Sequence, residues 1–390
     1  MEEVSRKLLI IGVGSSACIH VLPRVFARSP EVFAKNEFMF IDTSSASLEA
    51  AVDRMTAVFR EHHSARMGVI PERDRSFPVN LFKKRIEENS ILLGGKGAGT
   101  LPENGLSIFD ENKDLVLRRI EGIIKRVEEE SGGEKRIEGI IVVGCSGKGT
   151  GTLVTPFLYK LLLGKFPKMG VYPLGFITLP FRFRPADNIN AKKTVNFIVD
   201  NNVPMFVIDY ENALEAHMYL HGKEPSRESL RSFYDCVAEI LSEVLSVLIE
   251  ALNLVDRCEP PIDFYDLMRL LRIDRCVGTV AISVANSEEE FKERWKNDIE
   301  STMMLRTKTL PSRTLGVTIV RSESGIPVDV AKEIGDYAKN SLRSEDHIVY
   351  ELYYGQKYKM ISLIFGFDPL DIVPEVTPTS KGILHRLLGR

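Results

Sequence analysis

With 390 residues, 44% apolar and 27% charged, the chain has the length of two ordinary domains and a soluble globular composition, which excludes a disordered or fibrous protein. Its formal net charge of −3 lacks the basic excess of a nucleic-acid binder. Cys18, Cys145, Cys236, Cys258 and Cys276 form no CxxC pair, which fits reduced thiols in a cytoplasmic protein better than a zinc site or a disulfide framework. No signal peptide is read at the start, and the apolar stretch from Val244 to Leu254 is broken by Glu250 and Asn253, so no transmembrane helix is expected.

In chain order, Leu8 to Ile11 reads as a buried strand that ends in a glycine turn, Gly12-Val13-Gly14-Ser15-Ser16-Ala17. Phe38 to Ile41 is a second strand, ending at Asp42-Thr43-Ser44. From His62 to Ser90 the pattern weakens into a polar excursion carrying Pro71 and Pro78, with one short helix expected from Phe82 to Glu88. A second glycine turn, Gly97-Ala98-Gly99, follows. Ile140 to Val143 is a strand ending in the third turn, Gly147-Lys148-Gly149-Thr150-Gly151-Thr152, and further strands run from Leu174 to Ile177 and from Met205 to Ile208. Short continuous apolar runs between helical patterns indicate a parallel sheet covered on both faces. Ligands bind such sheets at the carboxyl ends of the strands, an edge that all three glycine turns can reach.

Residues 229–254 form a long helical pattern, broken by Cys258-Glu259-Pro260-Pro261. Beyond it, strands at 277–284, 314–320, 347–354 and 358–365 and helices at 288–299 and 328–341 suggest an α+β domain with a mixed or antiparallel sheet. Gly355-Gln356 reads as a tight hairpin between the last two strands. Residues 368–390 carry Pro369, Pro374 and Pro378 and read as a flexible tail ending in a basic amphipathic decamer. That end is either disordered or docks on a membrane surface or a partner's groove.

Three glycine turns on one α/β scaffold point to a polyphosphate held from several sides by backbone N–H groups, and so to a nucleotide-binding protein. Alone, the first turn would read as a dinucleotide fingerprint, with Asp42 holding a ribose, and would suggest an NAD-dependent oxidoreductase; that reading leaves the other two turns idle. A Walker-A loop is excluded, because Val142 stands where its first glycine belongs and Gly149 where its Ser or Thr belongs. His217 and His221 have the spacing of metal ligands on a helix, but no third ligand is evident and packing or surface roles are expected.

Five segments in order resemble the tubulin/FtsZ family: the 147–152 turn with Pro156 (GGGTG[ST]G in the family), Thr178 to Phe183 (TLPFRF), Gly97 to Gly105 (GAGTLPENG), Asp263 to Asp266 (DFYD) and Met360 to Phe367 (MISLIFGF). The resemblance implies a parallel-sheet GTPase domain over residues 1–228, a central helix over 229–255 and an activation domain over 256–367. It also implies GTP or GDP with Mg²⁺ as ligands, and head-to-tail self-assembly in which the acidic loop of one subunit completes the hydrolytic site of the next. On this basis Asp263 and Asp266 orient or deprotonate the attacking water, although Asp263 also suits the cap of a helix beginning near Phe264. The phosphates would meet Gly12, Gly14, Ser15, Ser16, Gly97, Ala98, Gly99, Gly147, Lys148, Gly149, Thr150, Gly151 and Thr152, with hydroxyls from Thr150 and Thr152, and Asp42 is a further nucleotide-binding candidate. The nucleoside would meet Arg184, Asn188, Arg231 and Asp235, Asp235 reading guanine and Arg231 standing where the family stacks an aromatic ring. No metal ligand is assigned among the side chains.

Several positions depart from the family. Lys148 replaces a signature glycine and either clamps phosphate or points to solvent. Leu153 replaces the last signature glycine, Pro261 the Asn of the acidic loop, and Arg184 a ribose-binding Glu. These departures point to a divergent prokaryotic, FtsZ-like or CetZ-like, member, and leave open a scaffold that binds nucleotide and hydrolyses little.

Overall fold

The structure is a computed structural model that describes residues 6–33, 35–66, 72–226, 229–273, 276–305, 307 and 311–372. Its contacts divide the chain into two compact units, Arg6–Leu174 and Gly175–Arg390.

The first unit opens with β1 (Lys7–Val13), a π-type turn at Ser16–Val21, α1 (Leu22–Arg28), α2 (Pro30–Phe33) and β2 (Glu37–Asp42). It continues with α3 (Ser45–Arg66), α4 (Glu72–Asn89), β3 (Ile91–Leu92), α5 (Pro102–Glu130), β4 (Ile137–Cys145) and α6 (Thr150–Lys165). Its strands are ordered β3-β2-β1-β4, all parallel. After Lys7, every residue of β1 is buried, as is all of β2, which explains their uninterrupted apolar runs. β1 pairs with β2 on one side and β4 on the other, so right-handed crossovers leave a crevice at the carboxyl ends of β1 and β4, where the strand order reverses.

The expected excursion at 62–90 is a correction. α3 and α4 occupy nearly all of it, and Phe59 stacks on Phe82 at 4.2 Å while Phe82 lies 5.6 Å from Phe26. α4 runs through Pro78.

β5 (Tyr172–Leu179) runs across the division in the chain. The second unit continues with α7 (Pro185–Asp200), β6 (Phe206–Asp209), α8 (Tyr210–His221), α9 (Leu230–Asn253), β7 (Cys258–Glu259), α10 (Phe264–Leu270) and β8 (Val277–Ala285). Then come α11 (Glu288–Thr302), β9 (Thr314–Ser322), α12 (Val328–Ser341), β10 (Ser344–Tyr353) and β11 (Tyr358–Phe367). The strand order is β5-β6-β8-β11-β9-β10-β7, a mixed sheet. α11 and α12 bury Phe291, Trp295, Ile299, Val330, Ile334 and Tyr337 against Ala281, Val320, Tyr358 and Met360 of this sheet.

The central helix, α9, is buried over most of its circumference, and its buried carboxylates find partners: Glu250 lies 3.1 Å from Arg321 and Glu243 lies 3.6 Å from Lys359. The expected hairpin at Gly355 is not formed. β9 lies between β10 and β11, parallel to the first and antiparallel to the second, so residues 354–357 cross the end of β9. Of the expected tail, Pro369–Ile372 forms a 3₁₀ turn with Ile372 buried; the basic end lies outside the described residues.

Candidate functional site

A cavity of about 150 Å³ lies in the first unit at the carboxyl ends of β1, β2 and β4. All three glycine turns contribute to its wall: Gly14, Ser15 and Ser16 from the first, Gly97 and Ala98 from the second, and Lys148, Gly149, Thr150 and Gly151 from the third. Asp42, Thr43 and Ser44 fill the gap after β2.

The turns meet because side chains are missing where they touch. Gly14 has φ +80°, and a Cβ there would lie 3.0 Å from the Gly151 nitrogen. A Cβ on Gly151 would lie 2.3 Å from the Cys145 carbonyl oxygen, and one on Gly149 would lie 2.5 Å from the Cβ of Ala98. The first turn is thus pressed on the third, and the second on the third. The Gly97 N–H donates to the Thr43 carbonyl at 2.7 Å, joining the second turn to the end of β2.

Asp42 is the hub. Its Oδ1 accepts from the backbone N–H groups of Thr43 (2.7 Å) and Ser44 (3.1 Å) and from the Thr150 hydroxyl (3.4 Å), while Oδ2 accepts from the Ser15 hydroxyl at 3.2 Å. The Thr43 and Thr150 hydroxyls share a further hydrogen bond of 2.7 Å. Burial pushes the Asp42 carboxyl above its ordinary value, against the pull of the four donors. Asp42 is therefore a structural clamp on three loops.

Gly149 is the N-cap of α6, so the first N–H groups of that helix, with their partial positive charge, begin at the cavity wall. The cavity accordingly offers main-chain donors, hydroxyls, one lysine and a carboxylate already engaged, a chemistry suited to a polyanion.

Four of the expected phosphate contacts do not line the cavity. Gly12 sits inside β1, where a Cβ would meet Leu22 at 2.9 Å and Cys18 at 3.0 Å. Gly99 lies at the tip of its turn with open space around its Cβ position. Gly147 donates its N–H to the Thr152 hydroxyl at 3.0 Å, and that hydroxyl donates in turn to the Lys148 carbonyl. The expected Thr152 hydroxyl is thus spent inside its own turn. Thr43, Ser44, Thr100 and Cys145 line the cavity without having been singled out as contacts. Thr43 and Ser44 directly follow Asp42, and that adjacency was the available signal.

The expected nucleoside contacts belong to the second unit. Arg184 precedes α7 and pairs with Asp187 at 2.6 Å. Asn188 is 2% exposed, and its amide donates to the carbonyls of Phe181 (2.9 Å), Arg182 (3.1 Å) and Arg184 (2.9 Å), which staples the turn that follows β5. Arg231 and Asp235 are one turn apart on α9, 3.7 Å from each other. Phe181 gathers Phe183, Tyr210, Phe233 and Tyr234 around it, which accounts for the aromatic positions of the TLPFRF segment.

The acidic pair is also in the second unit. Asp263 is the N-cap of α10, its Oδ1 accepting from the Asp266 N–H at 3.1 Å. The Asp266 carboxylate accepts from the Tyr350 hydroxyl at 2.7 Å and lies 3.7 Å from Arg269. Burial and this bond raise the Tyr350 phenol far above its ordinary value. His217 and His221 face Glu239 and Glu243 across α8 and α9, at 3.2 and 3.5 Å. Among the described residues no group of three or more His, Cys, Asp or Glu side chains is placed to hold a metal ion, and no helix is long and apolar enough to cross a membrane.

No protein-family model matches the chain, and no curated protein does either. Solved structures do. CetZ1 from Haloferax volcanii, described as a GDP-bound monomer, superposes with a TM-score of 0.65 at 17% identity, over 95% of this chain and 96% of that one. CetZ2 from the same organism, described as a GTPγS-bound protofilament, gives 0.62 at 17% identity over 93% and 92%. An empty FtsZ dimer from M. jannaschii gives 0.61 at 15% identity over 94% and 89%. The chain has the fold of the tubulin/FtsZ superfamily, as the order of its motifs implied.

Proposed function

We propose that the chain is a guanine-nucleotide-binding cytoskeletal GTPase that assembles head to tail. The observation that carries this reading is the meeting of three glycine turns around one cavity at the sheet's carboxyl edge. A dinucleotide enzyme would use the first turn and leave the other two without work. The likeness to CetZ2, solved as a protofilament with GTPγS, and to CetZ1, solved with GDP, supports the nucleotide and the self-association.

In this reading the phosphates lie against the N–H groups of the first, second and third turns, and the N-terminus of α6 adds its dipole. Mg²⁺ would arrive on the phosphate oxygens and neutralise charge there; the Thr43 and Thr150 hydroxyls are the protein oxygens suited to support it. Asp235 would read the guanine edge beside Arg231. Asp263 and Asp266 would act on the attacking water of a neighbouring subunit's nucleotide.

A second reading, a nucleotide-binding scaffold with little turnover, is favoured by the acidic loop itself. Asp263 caps its own helix, and Asp266 is held by Tyr350 and Arg269. Phosphate release measured against protein concentration separates the two. A rate per subunit that climbs with concentration, and collapses in Asp266→Ala while GTP still binds, supports the GTPase; negligible release at every concentration, with GTP-dependent pelleting intact, supports the scaffold.

A further inference from the structure

Among the described residues, Lys148 is the single cationic side chain in the cavity wall, and it forms no ion pair with any of them. Asp42, the one anion among the described residues of that wall, is engaged by four donors from three loops and does not need the lysine. The backbone of Lys148 is fixed from below: the buried Thr152 hydroxyl accepts from the Gly147 N–H and donates to the Lys148 carbonyl. Lys148 therefore stands one residue before the cap of α6, rigid at its backbone and exposed at its side chain, where the helix dipole already favours an anion.

A nucleoside diphosphate or triphosphate brings several negative charges into a wall whose neutral donors do not balance them. Resting on the nucleotide reading above, we propose that Lys148 is the resident counter-charge of this cavity, so that guanine nucleotide is retained when Mg²⁺ is removed. An ammonium on a flexible stem meets phosphate oxygens as a point charge and needs no octahedral shell. The cation supplies in the polypeptide part of the neutralisation that a metal supplies from solution. It acts more strongly on GTP than on GDP, because the triphosphate carries more charge.

The test is nucleotide affinity with and without the metal, read by equilibrium binding of fluorescent GDP and GTP to the full chain in excess Mg²⁺ and in excess EDTA. Wild type is expected to lose less than about threefold in EDTA, whereas Lys148→Gln loses about tenfold or more in EDTA and recovers most of it in Mg²⁺; Lys148→Arg stays near wild type. Because the side chain is exposed, the thermal midpoint of Lys148→Gln without nucleotide should match wild type. Equal affinity of wild type and Lys148→Gln in EDTA overturns the proposal while leaving the nucleotide reading in place. A wild type that binds neither nucleotide overturns both.

Discussion

Asp42 ties the first and third glycine turns to the loop that follows β2, and replacing it separates geometry from charge. In Asp42→Ala, the buried N–H of Thr43 and the half-buried N–H of Ser44 lose their acceptor; the Thr150 hydroxyl keeps its bond to Thr43, and the exposed Ser15 hydroxyl turns to water. A buried donor left alone costs about 1–2 kcal/mol, so the two backbone donors together should cost roughly 2–4 kcal/mol, reduced somewhat because a desolvated carboxylate disappears with them. Asp42→Asn keeps the Oδ1 acceptor for both backbone donors, and the Ser15 hydroxyl can turn to accept from the new amide. It should stay within about 1 kcal/mol of wild type at neutral pH. The pH dependence has a definite sign. The Asp42 carboxyl is raised by burial, so as pH climbs the unfolded chain releases this proton first and the folded state then bears a disfavoured charge. The penalty is absent below the ordinary value of 3.8 and complete above the raised one, so Asp42→Asn should gain on wild type as pH rises through that window. Urea unfolding of the two variants and wild type without nucleotide, at several pH values, measures both effects. An alanine variant as stable as the asparagine one would refute the clamp, and an Asp42→Asn stability that stays level with or falls against wild type as pH rises through that window would refute the electrostatic reasoning.

Three further outcomes follow from the same structure. Gly151→Ala drives a Cβ into the Cys145 carbonyl oxygen and should cost about 2 kcal/mol and most nucleotide binding, whereas Gly164→Ala in the same helix, with nothing near its Cβ position, should be neutral or stabilising in thermal melts. His347 is half-buried, its ring packed on Gly316; it shares one bond with Thr318, and desolvation of the ring pushes it down to about 4. It should hold full stability above its ordinary value of 6.5 and lose up to about 3 kcal/mol as pH falls from there through about 4, a slope that His347→Gln flattens in urea titrations. Tyr350→Phe removes the 2.7 Å bond to Asp266, should cost about 1 kcal/mol, and should raise phosphate release per subunit if that bond restrains the carboxylate; an unchanged rate removes the restraint from the account.

Much of this was readable in the residues. The strands around Leu8–Ile11, Phe38–Ile41 and Ile140–Val143 announced themselves because a parallel sheet buried on both faces leaves no polar alternation to obscure them. The glycine turns were legible because glycine answers two needs there: close backbone contact at Gly14 and Gly151, and a positive φ at Gly97, Gly99 and Gly147. The cap at Asp263 was legible because it is a three-residue effect. Long-range partners were not. Tyr350 meets Asp266 across 84 residues, and nothing local in either segment marks the other. Gly355 carries a turn signal, but a turn does not say whether a third strand will slip between the two it joins, as β9 does. α3 and α4 escaped because their polar composition and Pro78 dilute the helical period, while the ring stack of Phe59 on Phe82 becomes visible only in space. The bracing bonds of Thr152 were not legible either, because a hydroxyl beside a phosphate turn serves equally well to face a ligand or to hold the turn itself.

The cavity formed by the three turns is the claim on which the rest stands, and the nucleotide that accompanies the purified chain tests it most directly. Protein denatured after gel filtration should release GDP or GTP in an amount approaching one per chain, and chain stripped of nucleotide should rebind guanine in preference to adenine nucleotides. Release of NAD or FAD, or a stripped chain that binds no guanine nucleotide at any accessible concentration, would contradict the account.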